Sequence, residues 1–221
     1  MTALAQLGME KSASPAWVKM LPRLSSAARN RLRTFLPSGA TRQIGRVPLG
    51  VGNEGRVMPG FTGGSGETAI KQFDGIARSR ALSEPGSYAA AQEAIANRFR
   101  VMSDGPAVFP KLHARTANGF VMERLRPASQ AAPDGMFMEW TNEAKAAMPG
   151  FLKRMKSHAA SPAEATRISR YSERPPSQFE LKLPTGAVDV GDINTANVML
   201  DSAGVAKIAD PVIGAIRPHA R

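Results

Sequence analysis

Four groups of residues in this chain have the types and spacing to do chemistry on a phosphate. In Gly191-Asp192-Ile193-Asn194-Thr195-Ala196-Asn197-Val198-Met199-Leu200 an aspartate stands five residues before an asparagine, with an apolar strand behind. On a tight loop such a pair can converge. The aspartate can orient an attacking hydroxyl and accept its proton, and the asparagine oxygen can bind Mg²⁺, a hard cation that prefers oxygen ligands. In Val205-Ala206-Lys207-Ile208-Ala209-Asp210 an acid closes a short apolar strand, where it can act as a second metal ligand. Lys71 sits between apolar neighbours in Ala69-Ile70-Lys71, where an ammonium can be aimed at phosphates as a point charge. Gly50-Val51-Gly52-Asn53-Glu54-Gly55-Arg56-Val57 has three glycines, which lack a Cβ and let the backbone approach a bulky anion closely. Taken singly, each has a plainer role: a polar turn, an aspartate starting the turn at Asp210-Pro211, a lysine on a solvated strand face, a hairpin turn.

These groups need elements to hold them. The patterning predicts strands over 43–49 and 55–61 flanking the glycine turn, a loop over 62–66 and a strand over 68–73. An alanine-rich helix is expected over 88–102, then strands over 108–113 and 119–125 around the turn Ala117-Asn118-Gly119. Residues 136–157 look helical. Met148-Pro149-Gly150 should split them into two helices, because proline lacks a backbone donor and disfavours helix in the residue before it. Ser161-Pro162-Ala163-Glu164 reads as a further helix start, with a capping serine, proline in first position and an acid in the first turn. Beyond Pro175-Pro176, short apolar pieces alternate with turns. The expected class is α+β with two unequal lobes, a β-rich first and a mainly helical second. A nucleotide in a cleft between such lobes is an ordinary arrangement.

The order of these groups resembles the protein-kinase signature set: glycine loop, strand lysine, helix glutamate, Asp-x4-Asn and a later strand-end aspartate. The resemblance runs from about Leu49 to Asp210. It implies that Gly50, Gly52, Gly55 and Val57 cover ATP phosphates, and that Ala69 and Lys71 belong to the phosphate-binding strand. Glu93 would pair with that lysine, better than Glu84, which Pro85-Gly86 follows. Met122 would be the gatekeeper, with Glu123 to Leu125 offering backbone groups to adenine. Asp192 would be the catalytic base, and Asn197 and Asp210 the Mg²⁺ ligands. The domains implied are a basic, partly flexible extension over 1–40, a first lobe and hinge over 41–125, and a minimal second lobe over 126–221.

The departures are specific. Val190-Gly191 replaces the usual His-Arg, Asn194 stands where Ser/Thr kinases commonly have lysine, and Asp210-Pro211-Val212 replaces Asp-Phe-Gly. Between Asp210 and Arg221 no activation segment is expected, and with it no regulation by loop phosphorylation. Such compactness resembles kinase effectors that bacterial pathogens deliver into host cells, and small phage kinases. It implies a host protein as substrate, an activating protein partner and a cytoplasmic location. Gly191-Asp192 is also similar to aminoglycoside and choline kinases. A pseudokinase serving as a binding module is a third reading.

Composition sets outer bounds. The chain has 221 residues, no cysteine and a formal net charge of +11. Thiolate metal sites and disulfides are thereby excluded. Residues 1–46 hold Lys11, Lys19, Arg23, Arg29, Arg31, Arg33, Arg42 and Arg46 against the single acid Glu10, with a basic helix expected over 24–36. That balance favours anionic partners. Nucleic acid is the weaker option, because the few aromatics do not interleave with the basic run. His113, His158 and His219 are too scattered for a zinc site. No apolar run nears the length of a membrane helix, and the start lacks a secretory pattern.

Overall fold

The structure, a computed structural model, describes residues 38–52, 54–73, 87–105 and 107–218. Almost all of the basic extension, with the helix expected over 24–36, lies outside the described residues, as do Asn53, Glu84 and His219. Two compact units divide the chain: Met1–Ala96 with Leu112–Arg124, and Asn97–Lys111 with Leu125–Arg221. One division falls after Arg124, and residues 97–111 go with the second unit.

The first unit is built on one antiparallel sheet. Its strands are β1 (Thr41–Gln43), β2 (Gly50–Gly52), β3 (Gly55–Thr62), β4 (Gly66–Phe73), β5 (Leu112–Thr116) and β6 (Gly119–Glu123). They run in the order β1-β3-β4-β6-β5, and β2 also pairs β3. Short turns explain the antiparallel order, since a two-residue loop can only reverse the chain. Gly52 faces Gly55 across Asn53-Glu54, and Thr116 faces Gly119 across Ala117-Asn118. Alternate residues of β3, β4 and β6 bury Met58, Ile70 and Val121 in one cluster, with Ala114 packed against it. Val108 and Phe109, expected in a strand, are buried in the second unit, where the Val108 carbonyl accepts from the Ile208 amide.

Helix α1 (Ser87–Asp104) matches the alanine-rich stretch and crosses the division between the units. In the first unit its Gln92 donates to the carbonyl of Ala117 and accepts from Arg115, fastening it to the β5–β6 hairpin.

The second unit corrects the expectation of a mainly helical lobe. Besides the end of α1, its described residues contain two helices, α2 (Asn142–Ser157) and α3 (Pro162–Ile168). They also contain eight short strands: β7 (Arg126–Pro127), β8 (Ser129–Ala131), β9 (Met138–Trp140), β10 (Phe179–Leu183), β11 (Gly186–Gly191), β12 (Val198–Leu200), β13 (Ala206–Ile208) and β14 (Val212–Ile213). These form the sheets β10-β11-β14, β13-β12-β7 and β8-β9. The reason is visible in residues 179–190: Phe179, Leu181 and Leu183 are buried on alternate positions, as are Val188 and Val190, which is strand periodicity.

Helix α2 corrects a second expectation, for it passes through Pro149 unbroken. Proline inside a helix costs about 3 kcal/mol. The same helix buries Ala144, Met148, Phe151, Leu152 and Met155. Each large apolar side chain among them contributes roughly 1.5–3 kcal/mol, so burial wins. Pro149 and Lys145, whose carbonyl loses its donor, are both exposed, and water can satisfy that carbonyl. Helix α3 begins as expected, with Ser161 Oγ accepting from the Glu164 amide at 3.1 Å. No helix among the described residues is long and apolar enough to cross a membrane.

Candidate functional site

In the first unit, strand register decides which side chains share a face. Residues directly paired across an antiparallel ladder point to the same side. Val57 pairs Lys71, and Lys71 pairs Phe120. One step along, Pro59 pairs Ala69, and Ala69 pairs Met122. Val57, Ala69, Lys71 and Met122 therefore lie in two adjacent rows on one face, opposite the cluster of Met58, Ile70 and Val121. Four separately chosen residues are thus brought together by the sheet.

Lys71 is buried, only 4% exposed, and its Nζ lies 5.3 Å from the centroid of the Phe73 ring. Phe73 meets Phe120 edge-on, with ring centroids 5.7 Å apart. Two aromatics thus wall the lysine, and a cation over a ring gains about 0.5–2 kcal/mol. Glu93 is exposed on α1 and forms no ion pair with Lys71 among the described residues, so the expected Lys71–Glu93 pair is absent from this conformation. Glu123 closes β6 opposite Thr68, and Arg124 Nη1 meets Glu67 Oε2 at 2.6 Å, which fixes the chain as it leaves the sheet. Leu125 follows, half-buried, as the first residue of that return into the second unit.

The glycine loop is a β2–β3 hairpin. A Cβ on Gly50 would meet nothing within 4 Å. At Gly55 it would stand 2.0 Å from the Gln72 carbonyl oxygen, and φ is +153°. Close passage of β4 is enough to require glycine at 55, whatever else approaches the loop.

In the second unit, two strand pairings, β11 with β14 and β12 with β13, bring Asp192, Asn197 and Asp210 toward one another. Strand β11 ends at Gly191, which pairs Val212, so Asp192 and Asp210-Pro211 emerge from the same end of a ladder. Val198 pairs Ile208, and the Ala209 amide donates to the Asn197 carbonyl at 2.7 Å, which sets Asn197 beside the strand that leads to Asp210. Asp192 has φ +59°, the one left-handed non-glycine residue among those described. Aspartate tolerates that region better than most residues, and strained backbone concentrates at functional sites.

The Asp192 carboxylate is held from both sides. Asn194 Nδ2 donates to its Oδ1 at 2.7 Å, and Asn197 Nδ2 donates to its Oδ2 at 2.6 Å and to its carbonyl at 2.9 Å. Because Asn197 spends its amino group on Asp192, its oxygen is the atom left for a ligand. Asp210 Oδ1 faces Arg98 Nη1 at 3.3 Å, with the arginine side chain only 12% exposed. Among the described residues no group of three or more His, Cys, Asp or Glu gathers for a metal. An amide oxygen and one carboxylate fit a Mg²⁺ that keeps waters and substrate oxygens as its remaining ligands. They do not fit a cation that needs a full protein cage.

Asn194 and Arg98 are the two residues here that spacing did not single out as functional. Asn194 was legible in principle, since Asp-x-Asn is a common loop-forming pattern. Nothing in the sequence ties Arg98 to Asp210, because the ion pair spans α1 and a strand end far along the chain. Compared with known protein families and with characterised proteins, the chain matches none.

Proposed function

We propose that this chain is a minimal phosphotransferase of the protein-kinase type, which moves the γ-phosphoryl group of ATP to a Ser or Thr hydroxyl of a protein. The observation that carries the reading is the Asp192–Asn197 loop: an aspartate gripped at carbonyl and carboxylate by an asparagine five residues on, with Asp210 closing the next hairpin. Phosphoryl transfer depends on positioning and charge neutralisation more than on covalent help.

In this reading Asp192 orients the acceptor hydroxyl and takes its proton. The hydroxyl oxygen bonds to the γ-phosphorus as the bond to the β–γ bridging oxygen breaks, and ADP leaves. Lys71 holds the α- and β-phosphates, and the loop that carries Gly50, Gly52 and Gly55 covers them. Val57, Ala69 and Met122 form an apolar wall for adenine, with backbone groups of Glu123 and Leu125 along its edge. Asn197 and Asp210 hold Mg²⁺, which supplies charge neutralisation at the phosphates when bound. Glu93 has no role in the conformation described; a helix shift toward Lys71, driven by a partner protein, would give it one.

The test is incorporation of labelled phosphate from ATP into protein. Asp192→Asn keeps the shape and tolerates the left-handed backbone, and Lys71→Met keeps the buried volume. Each is expected to lower transfer at least about a hundredfold, the scale of a lost general base or phosphate clamp, with little change in melting temperature. Unchanged labelling in both sinks the reading. Labelling of small alcohols or aminoglycosides in place of proteins would move the acceptor to the small-molecule class and keep the chemistry.

A further inference from the structure

We propose that Asn194 is a positioning residue that fixes the carboxylate of Asp192 for transfer; the proposal rests on the phosphotransferase reading. Asn194 uses both ends of one planar amide. Its Nδ2 donates to Asp192 Oδ1 at 2.7 Å, while its Oδ1 accepts from the amides of Ala196 at 2.9 Å and Asn197 at 3.0 Å. Its backbone carbonyl accepts from the amides of Asn197 and Val198 at 3.1 and 3.0 Å. One residue thus folds the loop and grips the carboxylate.

The grip has a geometric consequence. A carboxylate held at one oxygen still swings about its last torsion. Asp192 is held at both, Oδ1 by Asn194 and Oδ2 by Asn197. Each oxygen has a further lone pair to offer an incoming hydroxyl, because an ionised carboxylate has about four acceptor sites. Asparagine is suited to this position. An aspartate would accept from the two backbone amides but could not donate to Asp192. A lysine would donate but could not accept.

Two variants separate loop-building from positioning. Asn194→Asp keeps the acceptor for Ala196 and Asn197, removes the donor and sets a second negative charge against Asp192. It is expected to melt close to wild type, to keep its KM for ATP and to lose about tenfold to a hundredfold in kcat, the scale of a misplaced reacting group. Asn194→Ala is expected to lose melting temperature as well. Asn194→Asp with wild-type kcat overturns the proposal, and if Asp192→Asn is inactive in the same assay the phosphotransferase reading stands without it. Asp192→Asn as active as wild type overturns both. A readout independent of turnover is the side-chain amide signal of Asn194 in nitrogen-labelled protein. It should shift on Asp192→Ala, and a signal that does not move overturns the proposal by itself.

Discussion

Two glycines and one aspartate show how differently single positions can be constrained. Asp192 occupies a backbone region that costs an ordinary residue roughly 1–2 kcal/mol, and its φ of +59° persists because Asn194 and Asn197 hold the loop around it. Gly50 has open space where a Cβ would go, whereas at Gly55 a Cβ would lie 2.0 Å from the Gln72 carbonyl oxygen. Gly55→Ala is therefore expected to destabilise the protein by about 2–3 kcal/mol through overpacking, measured by urea unfolding. Gly50→Ala is expected to leave stability within about 0.5 kcal/mol, as for a surface change, so any loss of ATP binding there would report on the ligand and not on the fold.

Among the elements, the ones legible in the sequence are those whose cause is local. The β5–β6 hairpin follows from Ala117-Asn118-Gly119, α3 from Ser161 and Pro162, and β4 from the apolar neighbours of Lys71. The Asp192–Asn197 loop was legible for the same reason, because five residues of spacing carry it. What was not legible depends on distant partners. Met138–Trp140 continues a helical pattern but pairs with Ser129–Ala131 as a strand. Glu93 sits on the expected helix, yet spacing along a helix does not say where that helix turns its face. Pro149 breaks a helix by local rules, and tertiary burial of Phe151 and Met155 overrides them. Pro149→Ala restores the missing donor on the exposed side of α2 and is expected to add about 1–3 kcal/mol of stability, read from the urea midpoint.

At the scale of the whole molecule, charge decides the response to acid. Glu164 is held below the usual carboxylate range by hydrogen bonds from Arg167 first and from the Glu180 backbone amide, although burial opposes the shift. Asp189 is held low by Arg217, which also meets Glu180, and Glu143 by Arg126. All three carboxyls bind their protons more weakly folded than unfolded. Their stabilisation is therefore complete above the ordinary carboxylate value of about 4 and is lost as pH falls through the lower folded values. Melting temperature should be flat near neutrality and drop in acid. The deficit of Arg217→Ala should be largest near pH 7 and shrink as Asp189 becomes protonated. An acid-independent deficit would show that Arg217 acts by packing alone.

The sheet face that carries Lys71 has one further dependence. A Cβ at Gly119 would stand 1.8 Å from the Lys71 carbonyl oxygen, so β6 can lie against β4 in its present register only because that position has no side chain. The same register sets Met122 beside Ala69. Every missense change of a glycine codon introduces a Cβ. As the gene is inherited, the face that Lys71 shares with Met122 is thus as vulnerable to mutation at a hairpin tip bearing no functional group as it is at the lysine itself.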